Sequence, residues 1–315
     1  MRNFYAFLAL ASFFSNPVHA HWADSKDFIA YCEEGSSQDS ADGVKYTIRR
    51  LLWSVRSEDC KHAFEKLQGL TSLNLNSNPE GGHQISDLRP LAGLKNLRHL
   101  DISNNKLKDL RPLASLENLS SLSLRGNRHE LDLFPLRSLV NLQSLDLCWL
   151  GNRSLKPIQN LKNLEILGVS GSGNLDLISQ LNLSKLEISN GHLNPRFLRP
   201  IKTMNSLKEL KVWVGRSRSK PANIESLASL INLESLEFRD AWKLQDISIV
   251  QQMKKLRTFT APFSSINDLN PLAELADLQT LKLRVNKVPA NKDFCPTERG
   301  PEVLRLYCKA LIGRS

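Results

Sequence analysis

The fold of this chain is decided by residues 85–127, which read ISDLRPLAGLKNLRHLDISNNKLKDLRPLASLENLSSLSLRGN. The pattern L-x-x-L-x-L-x-x-N occurs twice in them, from Leu97 to Asn105 and from Leu119 to Asn127. Its L-x-L core has a period of two, which places both leucines on one side of a short strand. The D-L-R-P-L segment before each pattern carries a proline that favours a turn or a short helical start. Each unit is therefore predicted to form a short strand and a thin outer segment.

The same pattern repeats along most of the chain, with successive units beginning 19 to 27 residues apart. Parallel strands stack about 4.8 Å apart whereas the outer segments are bulkier, so the stack is expected to curve with its strands on the inner side. The prediction is an α/β solenoid shaped like a horseshoe, with parallel strands on the concave face and short 3-10 or turn segments on the convex face. Ten leucines open the units: Leu70, Leu97, Leu119, Leu142, Leu164, Leu183, Leu207, Leu233, Leu256 and Leu278.

The asparagine that ends the pattern is expected to hydrogen-bond backbone groups in the turn after the strand. It is present at Asn78, Asn105, Asn127 and Asn286, whereas the six units between the last two carry other residues there. We therefore expect irregular, looser turns in the middle units. A shift of the alignment by one or two residues near Asn152 is the alternative.

Residues 70–288 resemble the short, proline-bearing repeats of bacterial internalins. This resemblance implies a right-handed leucine-rich repeat solenoid that binds a protein partner through its concave strand face, without catalysis. Only 27 residues follow the last unit, too few for the additional domains that internalins often carry. Surface attachment and host-cell entry are therefore not implied.

The first 20 residues are predicted to be a signal peptide. Arg2 precedes an apolar stretch from Phe4 to Phe14, and Pro17 follows that stretch. Small residues typical of a signal-peptidase cleavage site then end at Ala20. No later stretch is apolar for the roughly 20 residues of a membrane helix. We expect a secreted or periplasmic protein, cleaved after Ala20, with no membrane span.

Both ends of the solenoid need a cover because a terminal unit has no neighbour. Residues 21–69 are predicted to form a helical N-terminal cap, with helices over 44–54 and 57–67 and Ser57 as N-cap of the second. Residues 70–290 hold the solenoid of about ten units. Residues 291–315 are predicted to form a disulfide-closed C-terminal cap, with a helix from Pro301 to Ile312.

Five cysteines in an exported chain suggest two bridges and one free thiol. Sequence proximity pairs Cys32 with Cys60 and Cys295 with Cys308. Cys148 is left over and is expected to point outward from its strand. It is either a reactive thiol or a disulfide handle for a partner, or an inert, partly covered cysteine.

Large aromatic residues and arginines stand at the positions beside and after the strand leucines. These residue types dominate binding energies when they are exposed on a rigid scaffold. The alternative for Trp149 and Trp242 is that they fold back and fill the irregular turns. The predicted partner-binding residues are Arg125, Trp149, Trp213, Arg239, Trp242, Phe263 and Arg284.

The chain has 42 Lys and Arg against 32 Asp and Glu, a formal charge of +10 that favours acidic partners. Residues between the strand leucines nevertheless carry both signs, such as Asp146 and Glu187 against Lys211, whereas a surface that follows phosphates is uniformly basic. Nucleic acid is therefore not predicted as a ligand. The run from Arg216 to Lys220 indicates a loop that contacts acidic glycans or lipid headgroups, or a solvated insertion.

No phosphate-binding loop, nucleophile elbow or metal-ligand spacing occurs in the sequence. We therefore expect no enzyme, no cofactor and no metal. The leading interpretation is a secreted recognition protein that binds a protein partner. The alternatives are a glycan or cell-envelope binder that stacks sugar rings on Trp149, Trp213 and Trp242, and an inhibitor of an extracellular enzyme.

Three asparagines begin N-x-S triplets: Asn118, Asn152 and Asn182. This triplet is the acceptor for N-glycosylation in organisms that have the pathway. In a bacterial source the triplets would be idle, so the sequence leaves their modification open.

Overall fold

A computed structural model describes residues 25–34, 43–78, 84–127, 130–151, 153–171, 174–191, 195–214, 223–283 and 294–312. The predicted signal peptide lies outside these residues, as do Asn152, Arg284 and the run from Arg216 to Lys220. The chain divides into two compact units. The N-terminal unit comprises Met1–Leu119 and His129–Leu139, and the C-terminal unit comprises Ser120–Arg128 and Val140–Ser315.

Three helices open the N-terminal unit: α1 over Ser25–Glu34, α2 over Gly43–Val55 and α3 over Cys60–Gln68. The sequence predicted α2 and α3 but not α1. A disulfide joins Cys32 on α1 to Cys60 on α3, and the ring centroids of Phe28 and Phe64 lie 5.1 Å apart. Ser57 was predicted to be the N-cap of α3, and this prediction is wrong. Asp59 is the N-cap, because it directly precedes the helix and its carboxylate accepts the amide hydrogen of the third helical residue.

Each unit contains parallel strands that pair with the next strand along the chain. In the N-terminal unit β1 over Ser72–Asn74 pairs with β2 over His99–Asp101. In the C-terminal unit every consecutive pair from β3 to β10 is parallel. The strands of that unit are β3 Ser121–Ser123, β4 Ser144–Asp146, β5 Ile166–Ser170, β6 Lys185–Gly191, β7 Glu209–Val214, β8 Ser235–Arg239, β9 Thr258–Thr260 and β10 Thr280–Lys282.

The strand leucines form the core, as their alternation predicted. Leu145, Leu167, Leu186, Leu210 and Leu236 occupy matching positions from β4 to β8, and each is at most 1% exposed. Burial of one such side chain contributes about 2 kcal/mol. Because the register is uniform, the residue after each of these leucines lies on the opposite surface, which we call the strand face.

The outer segments are short 3-10 turns, and most have proline in their first turn. The N-terminal unit has three, over Arg89–Leu91, Arg111–Ser115 and Phe134–Ser138. Asp87 and Asp109 fix the starts of the first two, because each carboxylate accepts the amide hydrogen of the arginine two residues later at 2.9 Å. The predicted outer segments of turn or 3-10 structure are thus confirmed.

The C-terminal unit adds two helices to this scheme. Helix α4 over Pro195–Leu198 runs directly into a 3-10 turn over Arg199–Thr203. Helix α5 over Glu302–Ile312 follows β10 and begins one residue later than predicted. A disulfide joins Cys308 on this helix to Cys295, which precedes the helix. No helix in the described ranges combines the length and apolarity needed to span a bilayer.

Several middle repeats have longer strands than the others, whereas much of the turns after β5, β6 and β7 lies outside the described residues, so the looser turns stay a prediction there. The strands β5 to β8 have five to seven residues, whereas β1 to β4, β9 and β10 have three. The ladder therefore extends in four of the six repeats that lack the asparagine, those of β5 to β8. Within the described residues the pairing of β6 with β7 also has a register shift, between Ile188 and Gly191.

The motif asparagine has the predicted role where it is present. The Asn105 side chain is 2% exposed, and its amide donates to the carbonyls of Leu75 and Ile102 at 3.0 Å. Its carbonyl oxygen accepts from the Ile85 amide at 2.8 Å and the Ser77 hydroxyl at 2.7 Å. One side chain thus connects two consecutive repeats through buried hydrogen bonds.

We predict that Asn105→Ala lowers the free energy of unfolding by about 3 kcal/mol, because it leaves several buried backbone groups without partners. Urea unfolding followed by circular dichroism measures this change. Lys106→Ala, at the exposed neighbouring position, is the control and is expected to change stability by less than about 0.5 kcal/mol. Equal stability of the two variants would contradict the role assigned to Asn105.

Candidate functional site

The strand face of the C-terminal unit carries a connected set of charges, which we call the ionic row. Arg125, in the turn after β3, donates from Nε to Asp146 Oδ2 at 2.7 Å and from Nη2 to Glu187 Oε1 at 2.9 Å. Lys211 Nζ lies 3.9 Å from Glu187 Oε2 and 3.7 Å from Glu237 Oε2. Glu237 in turn pairs with Arg239. Three cations and three carboxylates therefore neutralise one another across β4 to β8.

Arg125 reaches Glu187 on β6 because β5 has no side chain in the way. Gly168 occupies the outward position of β5 that aligns with Asp146 on one side and Glu187 on the other. A Cβ atom at Gly168 would lie 2.6 Å from Asp146 Oδ1 and 2.9 Å from Cys148 Sγ. These distances are shorter than any ordinary contact, so only glycine permits this arrangement.

The partly buried Arg125 is held firmly in its charged state. Burial alone would lower the pKa of its guanidinium, but the hydrogen bond to Glu187 and the charge of Asp146 outweigh burial and raise that pKa above its usual value. The sequence predicted Arg125 as a binding residue. In the structure its Nε and Nη2 donate to the two carboxylates, and its binding role stays a prediction.

Cys148 does not point outward, which corrects the sequence prediction. The residue is 0% exposed, and Sγ lies 3.6 Å from the Val169 carbonyl oxygen and 4.0 Å from that of Glu187. Burial raises the pKa of the thiol, and the nearby charges of Asp146 and Glu187 raise it further. Since the thiolate is the reactive form, the burial and the raised pKa favour the inert, covered cysteine over a reactive thiol or a disulfide handle.

An aromatic cluster adjoins the ionic row. The rings of Trp149 and Trp213 meet edge to face with centroids 5.6 Å apart. The guanidinium carbon of Arg239 lies 4.4 Å from the Trp213 centroid, and Lys211 Nζ lies 5.2 Å from it. The buried Trp213 Nε1 has no hydrogen-bond partner among the described residues. Trp149 and Trp213 therefore fill space beside each other while each keeps part of its surface accessible.

A second aromatic pair lies after β8 and β9. Trp242 and Phe263 stack with centroids 5.1 Å apart and an angle of 29° between their planes. Trp242 is 50% exposed, so half of its surface stays accessible beside Phe263. Together the pair forms an apolar surface beside the strand face.

Two of these aromatics occupy a backbone position that other repeats give to small or polar residues. Counting the opening leucine as the first residue, the eighth residue has positive φ in seven repeats. Five of them carry glycine, asparagine or aspartate, the types that tolerate this left-handed conformation: Asn104, Gly126, Gly171, Asn190 and Asp240. The other two are Trp149, with φ of 63°, and Phe263, with φ of 60°. Bulky residues are strained in this conformation at a cost of about 1–2 kcal/mol.

The structure brings together six of the seven residues predicted from sequence into three groups: Arg125 with the ionic row, Trp149 with Trp213 and Arg239, and Trp242 with Phe263. Arg284 lies outside the described residues. Sequence reasoning missed Gly168, whose absence of a side chain carries no motif signal. It also missed the left-handed position, which was visible as a recurring glycine or asparagine one residue before the motif asparagine.

The remaining sequence predictions concern modification and catalysis. Asn118 Nδ2 donates to the Lys95 carbonyl at 2.9 Å, so the nitrogen that a glycan would need is already engaged in the N-terminal unit. Asn182 is exposed. In the described ranges no group of three or more His, Cys, Asp or Glu residues is arranged to hold a metal ion.

We predict that Gly168→Ala lowers the free energy of unfolding by about 1–3 kcal/mol, because the added methyl group displaces Asp146 and Cys148. Thermal unfolding measures the change. Gly69→Ala is the matched control, since a Cβ there meets its nearest neighbour, the Lys66 carbonyl, at an ordinary 3.5 Å. A destabilisation at Gly168 no larger than that at Gly69 would show that the ionic row does not need the glycine.

We predict that Cys148 reacts with a thiol reagent such as dithionitrobenzoate on the order of a hundredfold more slowly in the folded protein than in urea, because its thiol is buried and its pKa is raised. The unfolded protein provides the control. It is expected to release one equivalent of colour, since the other four cysteines form disulfides. Rapid reaction of the folded protein would instead support the interpretation of Cys148 as an accessible, reactive thiol.

Comparisons with known proteins agree with this architecture. A family model described as Leucine Rich repeats (2 copies) matches residues 68–115 and 95–133. The comparison with curated proteins found no match. Among solved structures, an internalin from Listeria monocytogenes is similar at 19% identity with a TM-score of 0.51, over 84% of this chain and 75% of that one.

Two further solved structures are similar at lower TM-scores. Internalin C2 from Listeria monocytogenes has 19% identity and a TM-score of 0.38, over 75% of this chain and 91% of its own. A leucine-rich repeat protein from Leptospira interrogans has 16% identity and a TM-score of 0.46, over 73% of this chain and 65% of its own. The repeat pattern, the strand pairing and the similarity to the first internalin, at a TM-score of 0.51, lead to one conclusion: the chain has a leucine-rich repeat fold like that of an internalin.

Proposed function

We propose that this protein is a non-enzymatic recognition protein that binds a protein partner through the strand face of its repeats. The observation that carries the proposal is the placement of Trp149 and Phe263 at left-handed backbone positions, where glycine or asparagine would be less strained. Strain of this kind tends to be kept at functional sites. It supports a role for these rings beyond packing.

The chemistry of the surface favours a protein partner. Aromatic rings and arginine are enriched among the residues that dominate protein interfaces. Trp242 offers a half-exposed ring that is held by stacking on Phe263, so little side-chain freedom is lost on binding. The adjoining ionic row is internally neutralised, which differs from the uniformly basic surface that nucleic acids require.

We also propose that the protein is exported, as a secreted or periplasmic protein cleaved after Ala20 and of bacterial origin. Two disulfides, Cys32 with Cys60 and Cys295 with Cys308, support an oxidising environment. Each bridge involves a helix at one end of the repeats, so both stabilise helical caps. The predicted boundaries of these caps, 21–69 and 291–315, belong to the same proposal.

A glycan partner is the second candidate, and one observation favours it. The Trp242 and Phe263 rings are stacked nearly in parallel, which leaves a flat apolar surface of the kind on which sugar rings stack. The two candidates differ in what the strand face retains. Purified cell-wall polysaccharide should hold the protein in a pull-down if the ligand is a glycan.

We predict that Phe263→Asn weakens partner binding by about thirtyfold, since loss of a dominant interface residue costs roughly 2 kcal/mol. Its stability should change by less than about 1 kcal/mol, because relief of backbone strain offsets the lost stacking on Trp242. Immobilised wild type and variant would be compared for proteins retained from envelope extracts and culture medium, followed by affinity measurement on the retained protein.

The control is Phe134→Ala, which removes an aromatic ring that is 45% exposed on an outer segment of the N-terminal unit. It should leave partner binding unchanged. Retention of the same partner by wild type, Phe263→Asn and Trp242→Ala would contradict the proposal. A large loss of stability in Phe263→Asn would show that its ring serves packing alone.

A further inference from the structure

A cavity of about 760 Å³ lies on the outer segments of the C-terminal unit. It is lined by Asp176, Arg196, Arg199, Pro200, Lys202 and Ser226. These residues belong to three consecutive outer segments, Leu175–Ile178, Pro195–Thr203 and Glu225–Leu227. The cavity is therefore separate from the strand residues of the proposed partner site.

The central wall of this cavity has an unusual backbone. The other described outer segments are single 3-10 turns of three to five residues, whereas here α4 precedes the 3-10 turn and lengthens the helical segment. Phe197 and Leu198 anchor the junction, at 8% and 0% exposure. The added helical turn places Arg196 near Arg199 and Lys202, which belong to the 3-10 turn that the repeat pattern itself predicts.

The three cations of the wall are spaced three residues apart, at Arg196, Arg199 and Lys202. Side chains separated by three residues lie on the same face of a 3-10 turn and close to the same face of an α-helix. All three residues are exposed and line the same cavity. The segment thus directs three positive charges to one surface.

The repeat's own means of neutralising such an arginine is missing here. In the N-terminal unit the sequence D-L-R-P pairs Arg89 with Asp87 and Arg111 with Asp109, at 2.7 and 2.8 Å. The equivalent sequence at residues 197–200 is F-L-R-P, so Phe197 replaces the aspartate. Within the described ranges no carboxylate lies within ion-pair distance of Arg196, Arg199 or Lys202.

Like charges so close together repel each other, and an anionic ligand would remove that repulsion. Arginine matches the geometry of phosphate and sulfate oxygens with a two-pronged donor, and lysine adds a mobile point charge. The cavity is in the size range that accommodates a small organic ligand rather than one ion. We infer that this cavity binds a ligand carrying phosphate or sulfate groups, held by Arg196, Arg199 and Lys202.

Asp176 allows an internal test, because it is the one acidic residue among the described residues that line the cavity. Its carboxylate would oppose an anion, whereas the three cations attract it. Removing the carboxylate and removing a cation should therefore change affinity in opposite directions. A general effect of net charge would not depend on where in the molecule the charge was changed.

The experiment is a calorimetric titration at fixed ionic strength with inorganic phosphate, inorganic sulfate and heparin as probes. Arg199→Gln is expected to raise the dissociation constant at least about fivefold, and Asp176→Asn to lower it. The matched control is Arg111→Gln, which removes the same charge at the equivalent repeat position, where Asp109 already neutralises the arginine. It should leave affinity unchanged.

The probes distinguish the two sources of such an anion. Saturation by phosphate or sulfate alone would indicate a small free ligand, and tighter binding of heparin than of either ion would indicate an anionic polysaccharide. Equal weakening by Arg199→Gln and Arg111→Gln, or no binding of any probe by the wild-type protein, would overturn the inference. Circular dichroism of both variants shows that they remain folded. Failure here would leave the strand-face proposal intact, because the two sites share no residue.

Discussion

The structure depends on the burial of leucines that occupy matching positions on consecutive parallel strands. A short strand of three residues has little stability of its own, and its apolar side is covered by the leucines of neighbouring strands and by buried residues of the outer segments. The shared register has a second effect: it aligns the residues between the leucines on the opposite surface. The ionic row exists because the same register that closes the core also places the charged residues of β4, β6, β7 and β8 on one surface.

The leucine spacing was sufficient to predict the fold, because period-two leucines at a fixed interval permit few arrangements. It also located the outer turns, since proline in D-L-R-P-L suits the start of a 3-10 turn. Helix α1 was missed because its apolar residues are few and its packing depends on Phe64, which is distant in sequence. The long strands β5 to β8 were missed because the pattern shows where a turn asparagine is absent but does not show that the strand is longer there.

The functional residues were predicted less completely than the fold. Aromatic residues and arginines were identified by type and position, and the structure places Trp149, Trp213 and Arg239 in one cluster. Cys148 was predicted to point outward because its place in the motif follows a buried leucine. That rule holds within a strand, but Cys148 lies in the turn, where the ionic row and the carbonyls of Val169 and Glu187 enclose it. Contacts of this kind join residues of different repeats and leave no trace in a motif.

The ion pair between Arg125 and Glu187 depends on the number of repeats between its two residues. Repeat proteins commonly gain or lose whole repeats by recombination, because each repeat contacts only its neighbours. Arg125 reaches from the turn after β3 to β6 across β4 and β5, so its two carboxylate partners sit at fixed numbers of repeats from it. Insertion or deletion of one repeat between β3 and β6 would separate the pair. The contacts of Arg125 thus couple four consecutive repeats, so their number cannot change without loss of this ion pair.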